Sequence, residues 1–247
     1  MLQNTNVFIL NFLKGNIISI IFLSYDNAKE PPITYNYDNC PGRRERINAY
    51  TKKEKPMNIQ EFYRDVMHVS DDRILQELES YSQSFTVGKG DIVIRQGEKQ
   101  EDFLFLVSGI FRGYYLDAAG KDVTDCFGFK KGTPCMSVAV NNGISPINIE
   151  AVTPCIFLKI SSAKLMPLID SNPLLLKIYN SILQEAMQVH WDLKITVTQR
   201  NATQRYQWFI ENYASIIYHV NNKDIASYLG MTPVTLSRIR KTMRDQK

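Results

Sequence analysis

Histidine is scarce in this chain: His68, His190 and His219 are scattered over 247 residues. None stands at metal-ligand spacing from another ligand type, and no nucleophile motif lies beside one. Glycine-rich phosphate loops are absent as well. Together these gaps argue against an enzyme, and each histidine reads as a surface or helix-packing residue. Cysteine is sparse too, and Cys40, Cys126, Cys135 and Cys155 form no Cys-x-x-Cys pair. That spacing disfavours a zinc or iron–sulfur site. Cys126 and Cys155 sit in apolar, strand-like runs where a thiol acts as a small hydrophobe, with redox sensing as the competing reading. Unpaired thiols fit a reducing, cytoplasmic setting. No cofactor and no metal are expected.

There is no low-complexity run and no uninterrupted apolar stretch of membrane-spanning length. Val7 to Leu23 comes nearest, but Asn11, Lys14, Gly15 and Asn16 break it. A basic n-region and a small-residue cleavage site are missing, which argues against a signal peptide. Asn-, Tyr- and Pro-containing sequence follows, then a basic run through Arg43, Arg44 and Arg46 to Lys52, Lys53 and Lys55. Residues 1–56 therefore read as a poorly ordered extension, or as upstream sequence ahead of a true start at Met57. A membrane anchor is the alternative for Val7 to Leu23, although no membrane partner is expected.

The net charge is only +4, so the chain is not a polycation. Its distribution says more. From Asn221 onward, Lys223, Arg238, Arg240, Lys241, Arg244 and Lys247 face only Asp224 and Asp245. A local basic excess of this kind suits phosphate contact.

The same stretch carries two short helical patterns around a turn. Ile225, Ala226 and Leu229 share one stripe, and Gly230 can end the helix with positive φ. Thr232 then offers a capping oxygen and Pro233 occupies the first helical position. In the second helix Leu236 and Ile239 point inward. Val234, Thr235, Ser237, Arg238 and Lys241 are left outside. This is the pattern of a helix-turn-helix that reads DNA. A helical hairpin closing a core or docking a protein is the competing reading.

Upstream of that pair the period changes twice. Ile59 to Met67 reads as a short helix with Phe62 and Val66 inward. A second helix follows, capped by Ser70, with Ile74, Leu75 and Leu78 on its apolar face. From Phe85 to Ile160 the pattern is strand-like: Ile92–Ile94, Phe103–Val107, Ile110–Leu116, Val123–Phe129, Ile147–Ile149 and Cys155–Ile160. Turn signals at Gly88–Gly90, Gln96–Glu98, Ser108-Gly109, Asp117–Gly120 and Asn141–Gly143 separate these runs. Many short strands imply a barrel or jelly roll. After Ser162 the helical period returns, and Pro173 starts a long helix. There Ile178, Ile182, Ala186, Val189, Leu193 and Val197 form a narrow seam, expected to pair with a second copy. Packing against its own roll is the alternative. Asn201 caps a further helix with Tyr206, Phe209, Ile210 and Tyr213 inward.

The run Gly90-Asp91-Ile92-Val93-Ile94-Arg95-Gln96-Gly97-Glu98, followed by Phe103 to Gly109 and a Gly120 hairpin, resembles the cyclic-nucleotide-binding β-roll. With the long helix and the run Tyr228 to Arg238 behind it, the chain resembles the catabolite activator and fumarate–nitrate (Crp/Fnr) regulators over about residues 58–241. The resemblance implies an α+β fold in four parts. These are the extension 1–56, a β-roll or double-stranded jelly roll with flanking helices at 57–170, a dimerisation helix at 171–198, and a helix-turn-helix domain at 199–247. It further implies a homodimer on double-stranded DNA carrying an inverted repeat, with RNA polymerase as a partner and a small-molecule effector not yet identified. Arg238 falls where such regulators place a base-reading arginine. Val234, Thr235 and Ser237 would tune neighbouring bases, and Lys223, Thr232, Arg240 and Lys241 would meet phosphates.

Two departures stand out. Nucleotide-binding members hold the ribose and cyclic phosphate with a Gly-Glu pair and an Arg followed by Ser or Thr. Here those places hold Pro134-Cys135 and Ser145-Pro146, so an effector other than cyclic AMP, or none, is expected. Such regulators also carry a β-hairpin wing after the reading helix, whereas Thr242 to Lys247 is all that follows here. The wing is naturally missing or the sequence stops short of it. The rival expectation is a β-roll that acts through protein–protein contacts without its own operator.

Overall fold

The computed structural model describes residues 58–135 and 143–245. The expectations for residues 1–56, the start at Met57 and the role of Cys40 lie outside them.

Two short helices open the described chain, α1 (Ile59–Asp65) and α2 (Asp72–Tyr81). Asn58 caps α1 by accepting from the Glu61 amide. For α2 the capping residue is Asp71, not Ser70: its carboxylate accepts from the Arg73 and Ile74 amides. A carboxylate is the stronger acceptor at a helix start, where the dipole also favours it.

Eight strands follow: β1 (Ser82–Val87), β2 (Ile92–Ile94), β3 (Asp102–Ser108), β4 (Phe111–Leu116), β5 (Asp122–Gly128), β6 (Pro134–Cys135), β7 (Asn148–Ala151) and β8 (Cys155–Ser161). They pair antiparallel into two four-stranded sheets, one in the order β1-β8-β3-β6 and the other β2-β7-β4-β5. The sequence pattern lacked β1 and β6. In β1 only Ser82 is buried, so its side chains carry little apolar alternation, and β6 is two residues long. Both are placed by partners: Phe85 lies opposite Phe157, and Leu104 opposite Cys135.

Alternation along the central strands feeds separate cores. Leu104 and Leu106 of β3 point between the sheets with Phe111, Ile149 and Phe157. Phe103, Phe105 and Val107 point the other way, onto Phe62, Leu75 and Leu78 of the two opening helices. At the β3–β4 turn Gly109 has φ of 100°, and a Cβ there would meet the Pro154 carbonyl at 2.5 Å. Only glycine fits that approach.

Beyond the roll come α3 (Ser162–Ser171), α4 (Pro173–Gln199), α5 (Ala202–Tyr213), α6 (Asn222–Tyr228) and α7 (Pro233–Asp245). Asn172 caps α4 through the Leu174 and Leu175 amides, with Pro173 at its start. Asn201 and Gln204 form a reciprocal capping box on α5. A third core joins α5, α6 and α7 to the outer face of the second sheet: Ile110 and Phe127 meet Phe209, Tyr213, Tyr228 and Leu236. Among the described residues no helix is long and apolar enough to cross a membrane.

The α4 seam is only partly covered by its own chain. Ile178 and Ile182 pack on the core beneath the first sheet, and Leu193 packs on the core of α5 to α7. Ala186 and Val189 line a chamber between helix and roll. Ile178, Ile182 and Leu193 thus pack in part on their own chain, while Val189 of the same seam remains exposed. Besides Val189, the exposed apolar side chains Leu176, Met187, Trp191 and Ile195 lie elsewhere on α4. At about 100° per residue their mean direction lies about 155° from that of the seam, close to the opposite side of the helix.

Candidate nucleic-acid interface and effector chamber

Helix α6 starts after Asn221 and buries Ile225, Ala226, Tyr228 and Leu229. It stops at Gly230, whose φ of 61° lets the Met231 amide reach the Ala226 carbonyl at 2.9 Å and the Gly230 amide reach Ser227 at 3.1 Å. These paired bonds are the glycine-ended helix stop read from the sequence. Arg205 of α5 braces the turn by donating from Nη1 to the Leu229 and Gly230 carbonyls. Thr232 then caps α7 by accepting from the Thr235 amide at 3.1 Å, and its hydroxyl pairs with that of Thr235 at 2.9 Å.

Leu236 is wholly buried, with Ile239 and Met243 partly buried beside it. On the opposite side Val234 is 60% exposed, and Ser237, Arg238 and Lys241 are exposed too. Among the described residues no salt bridge engages Arg238 or Lys241. Lys223 is exposed at the start of α6, and Thr232 is exposed at the turn. These side chains share one accessible surface only in part, because Thr235 is half-buried and held by its hydroxyl pair. Arg240 departs from its expected place on a phosphate. It is half-buried, donates to Asn222 Oδ1, and stands 5.9 Å from the Tyr206 ring centroid. One residue past Ile239, it falls toward the packed side of α7 and braces that helix against α6 and α5.

Asp224 is one of only two acids among the last 27 residues, and it is withdrawn from the surface. It is 7% exposed and bound to Arg112 Nη1 at 2.8 Å. Burial raises its carboxyl above the ordinary range, against the pull of the guanidinium. The outer surface of the helix pair is therefore more basic than residue counting implies.

The second concavity is a chamber of about 990 Å³ between roll and α4. Pro134, Cys135, Ser145 and Pro146, the four residues that the resemblance sets against the ligand-holding set of nucleotide binders, all line it. Ser145 is buried, and its hydroxyl donates to the Ile147 carbonyl at 2.6 Å. The cations on its wall, Lys130 and Lys131, are exposed, as is His190, and Lys131 lies over the Phe62 ring. Much of the remainder is apolar: Ile94, Phe111, Phe127, Ile147 and Ile149 from the roll, Trp208 and Tyr213 from α5. Such a surface suits an uncharged ligand better than a phosphate.

Burial pushes the Cys126 and Cys135 thiols well up and Cys155 up to about 11. At neutral pH all three stay protonated, which removes the thiolate that redox chemistry needs. Among the described residues no group of histidine, cysteine and carboxylates could hold a metal ion.

Sequence reasoning missed Arg112 and Arg205. Arg112 offered a weak signal, a lone charge between Phe111 and Gly113 on a strand. Its partners Asp122, Glu150 and Asp224 lie 10, 38 and 112 residues away, so the cluster exists only once the chain folds.

Comparison with known proteins agrees with this architecture. Residues 85–172 match the cyclic nucleotide-binding domain family. No curated protein sequence matches the chain. Among solved structures, FixK2 from Bradyrhizobium japonicum superposes with a TM-score of 0.60 at 17% identity, covering 67% of this chain and 85% of that one. A protein assigned to the crp/fnr family of transcriptional regulators, from Eubacterium rectale, gives 0.61 at 16% identity, covering 75% and 88%. The c-di-GMP responsive global regulator CLP of Xanthomonas campestris gives 0.59 at 14%, covering 71% and 93%. Residues 85–172 therefore match the cyclic nucleotide-binding domain family, and the described chain shares the fold of these solved structures, one of them a regulator of the crp/fnr family.

Proposed function

We propose that the chain is a sequence-specific, dimeric transcription regulator in which α6 and α7 form a helix-turn-helix and α7 enters the major groove. The observation that carries this reading is the division of α7. Leu236 locks one side into the core while Val234, Ser237 and Arg238 stand free on the other. Arg238 has the length and fork to reach a guanine edge, and Val234 suits a thymine methyl. Lys223 and Lys241 flank that surface and would meet phosphates, as would the Thr232 hydroxyl. Thr235 and Arg240 contribute less directly, since both are tied within the helix pair.

Pairing of two copies is assigned to the exposed apolar side of α4, through Leu176, Met187, Trp191 and Ile195. The chamber would take an uncharged effector and would not hold cyclic AMP tightly. Loss of each charge-assisted phosphate contact costs about 1.5–3 kcal/mol, and several are lost together.

The test of DNA binding itself is titration of a random-sequence duplex over a salt series. A reader of this design binds with log affinity falling steeply against log salt. A β-roll that works only by docking proteins gives no measurable binding at low salt.

A further inference from the structure

Arg112 sits on β4, facing away from the space between the sheets, and is 5% exposed. Its guanidinium takes both oxygens of Asp122 on β5 at 3.0 Å each and Glu150 Oε2 on β7 at 2.7 Å. The same Nη1 reaches Asp224 Oδ1 on α6 at 2.8 Å and Thr124 Oγ1 at 3.3 Å. One guanidinium thus serves three carboxylates, two from the roll and one from the first helix of the pair. The next contacts along β5 continue the attachment. The Thr124 amide donates to Ser227 Oγ at 3.0 Å. Phe127 then packs against Tyr228, ring centroids 5.1 Å apart. Tyr228 in turn bonds the Tyr213 hydroxyl at 2.6 Å.

We propose that Arg112 is a positioning residue that fixes the α6–α7 pair on the roll, by holding Asp224 in a cluster whose other two carboxylates belong to the roll itself. This goes beyond DNA reading, because it concerns how the pair is oriented before any duplex is present. Three features support it. The fork of arginine satisfies several carboxylates at once, which an ammonium does not do in the same geometry. The pair is buried, so salt screens it little. Asp224 lies two residues into α6, and the Gly230 turn links α6 rigidly to α7, so the orientation of Asp224 sets that of Arg238. The docking does not cover Arg238, Val234 or Ser237, so it orients the reading surface and leaves it open.

The charge arrangement gives an unusual pattern of substitutions. Asp224→Asn removes the charge that ties the helix pair to Arg112, leaving Arg112 with Asp122 and Glu150 and the Thr124–Ser227 and Phe127–Tyr228 contacts in place. Arg112→Met leaves three carboxylates facing one another and drives the pair away. Adding Asp224→Asn to Arg112→Met relieves part of that repulsion.

Hydrogen exchange on the full chain without DNA tests this. In Asp224→Asn, peptides over 221–231 exchange on the order of tenfold faster, the weight of one charge-assisted bond, while those over β3 and β8 are unchanged. Arg112→Met exchanges faster still, and the double variant is better protected than Arg112→Met alone. Unchanged exchange over 221–231 in Asp224→Asn overturns the proposal, as does a double variant no better protected than Arg112→Met. If Arg112→Met fails to fold, the Asp224→Asn comparison decides alone. A second readout rests on the DNA reading above. Asp224→Asn should weaken duplex affinity about 5–10-fold as the competent orientation becomes less populated, with the salt slope unchanged because no phosphate contact is lost. An altered slope, or unaltered affinity, overturns the orienting role. The exchange arm needs no DNA, so its outcome separates failure of this proposal from failure of that reading.

Discussion

At the scale of single residues, Arg238 and Lys241 carry different duties although both are exposed cations on α7. Arg238→Ala should cost about 1–3 kcal/mol on the preferred duplex and relax the choice at one base pair. Titrations against a panel of single-base variants measure this, and an equal loss on every sequence would place Arg238 on the backbone instead. Lys241→Ala should weaken all duplexes alike and reduce the salt slope by about one unit. Arg240 shows the limit of residue-scale reading. Its place in the sequence is that of a surface cation beside Lys241, yet its guanidinium is spent on Asn222 and Tyr206. Helical periodicity gives the direction of a long side chain, not the partner it finds.

At the scale of elements, the sequence was most informative where local chemistry decides the outcome. The stop at Gly230, the cap at Thr232, the proline start of α7 and the cap at Asn201 all occur where the residues required them. Gly230→Ala should therefore cost roughly 1–2 kcal/mol in thermal or denaturant unfolding, the penalty for a side chain in the left-handed region. Leu236→Ala should cost about 2–5 kcal/mol, since it empties a fully buried site under α7. The elements that escaped notice, β1 and β6, have no strong local signature and exist through pairing. The α4 seam shows a different limit. Its periodicity was correctly helical and apolar, but period alone does not say which neighbour covers a face. Here the neighbours are the roll, the chamber and the α5–α7 core.

At the scale of the whole molecule, the order of roll, long helix and helix pair was legible because each segment has its own period. The contacts that bind these parts were not, because Arg112 joins residues up to 112 positions apart. The chamber depends equally on assembly, its wall drawing on β4, β5, β6, α4 and α5. Among the described residues that wall offers no buried cation beside Ser145 and Pro146. Titration calorimetry should accordingly find no micromolar binding of cyclic AMP or cyclic GMP, and such binding would show that the phosphate is held by other groups. Sedimentation should find a dimer, and Met187→Glu with Ile195→Glu on the exposed side of α4 should shift it to monomer. Persistence of the dimer would locate the interface elsewhere.

The most direct trial of the central reading is selection from a library of random duplexes by the intact chain. Two copies of α7 in successive major grooves predict enrichment of an inverted repeat with half-site centres about 34 Å apart. A library that emerges without any enriched sequence, while the protein remains folded, would contradict it.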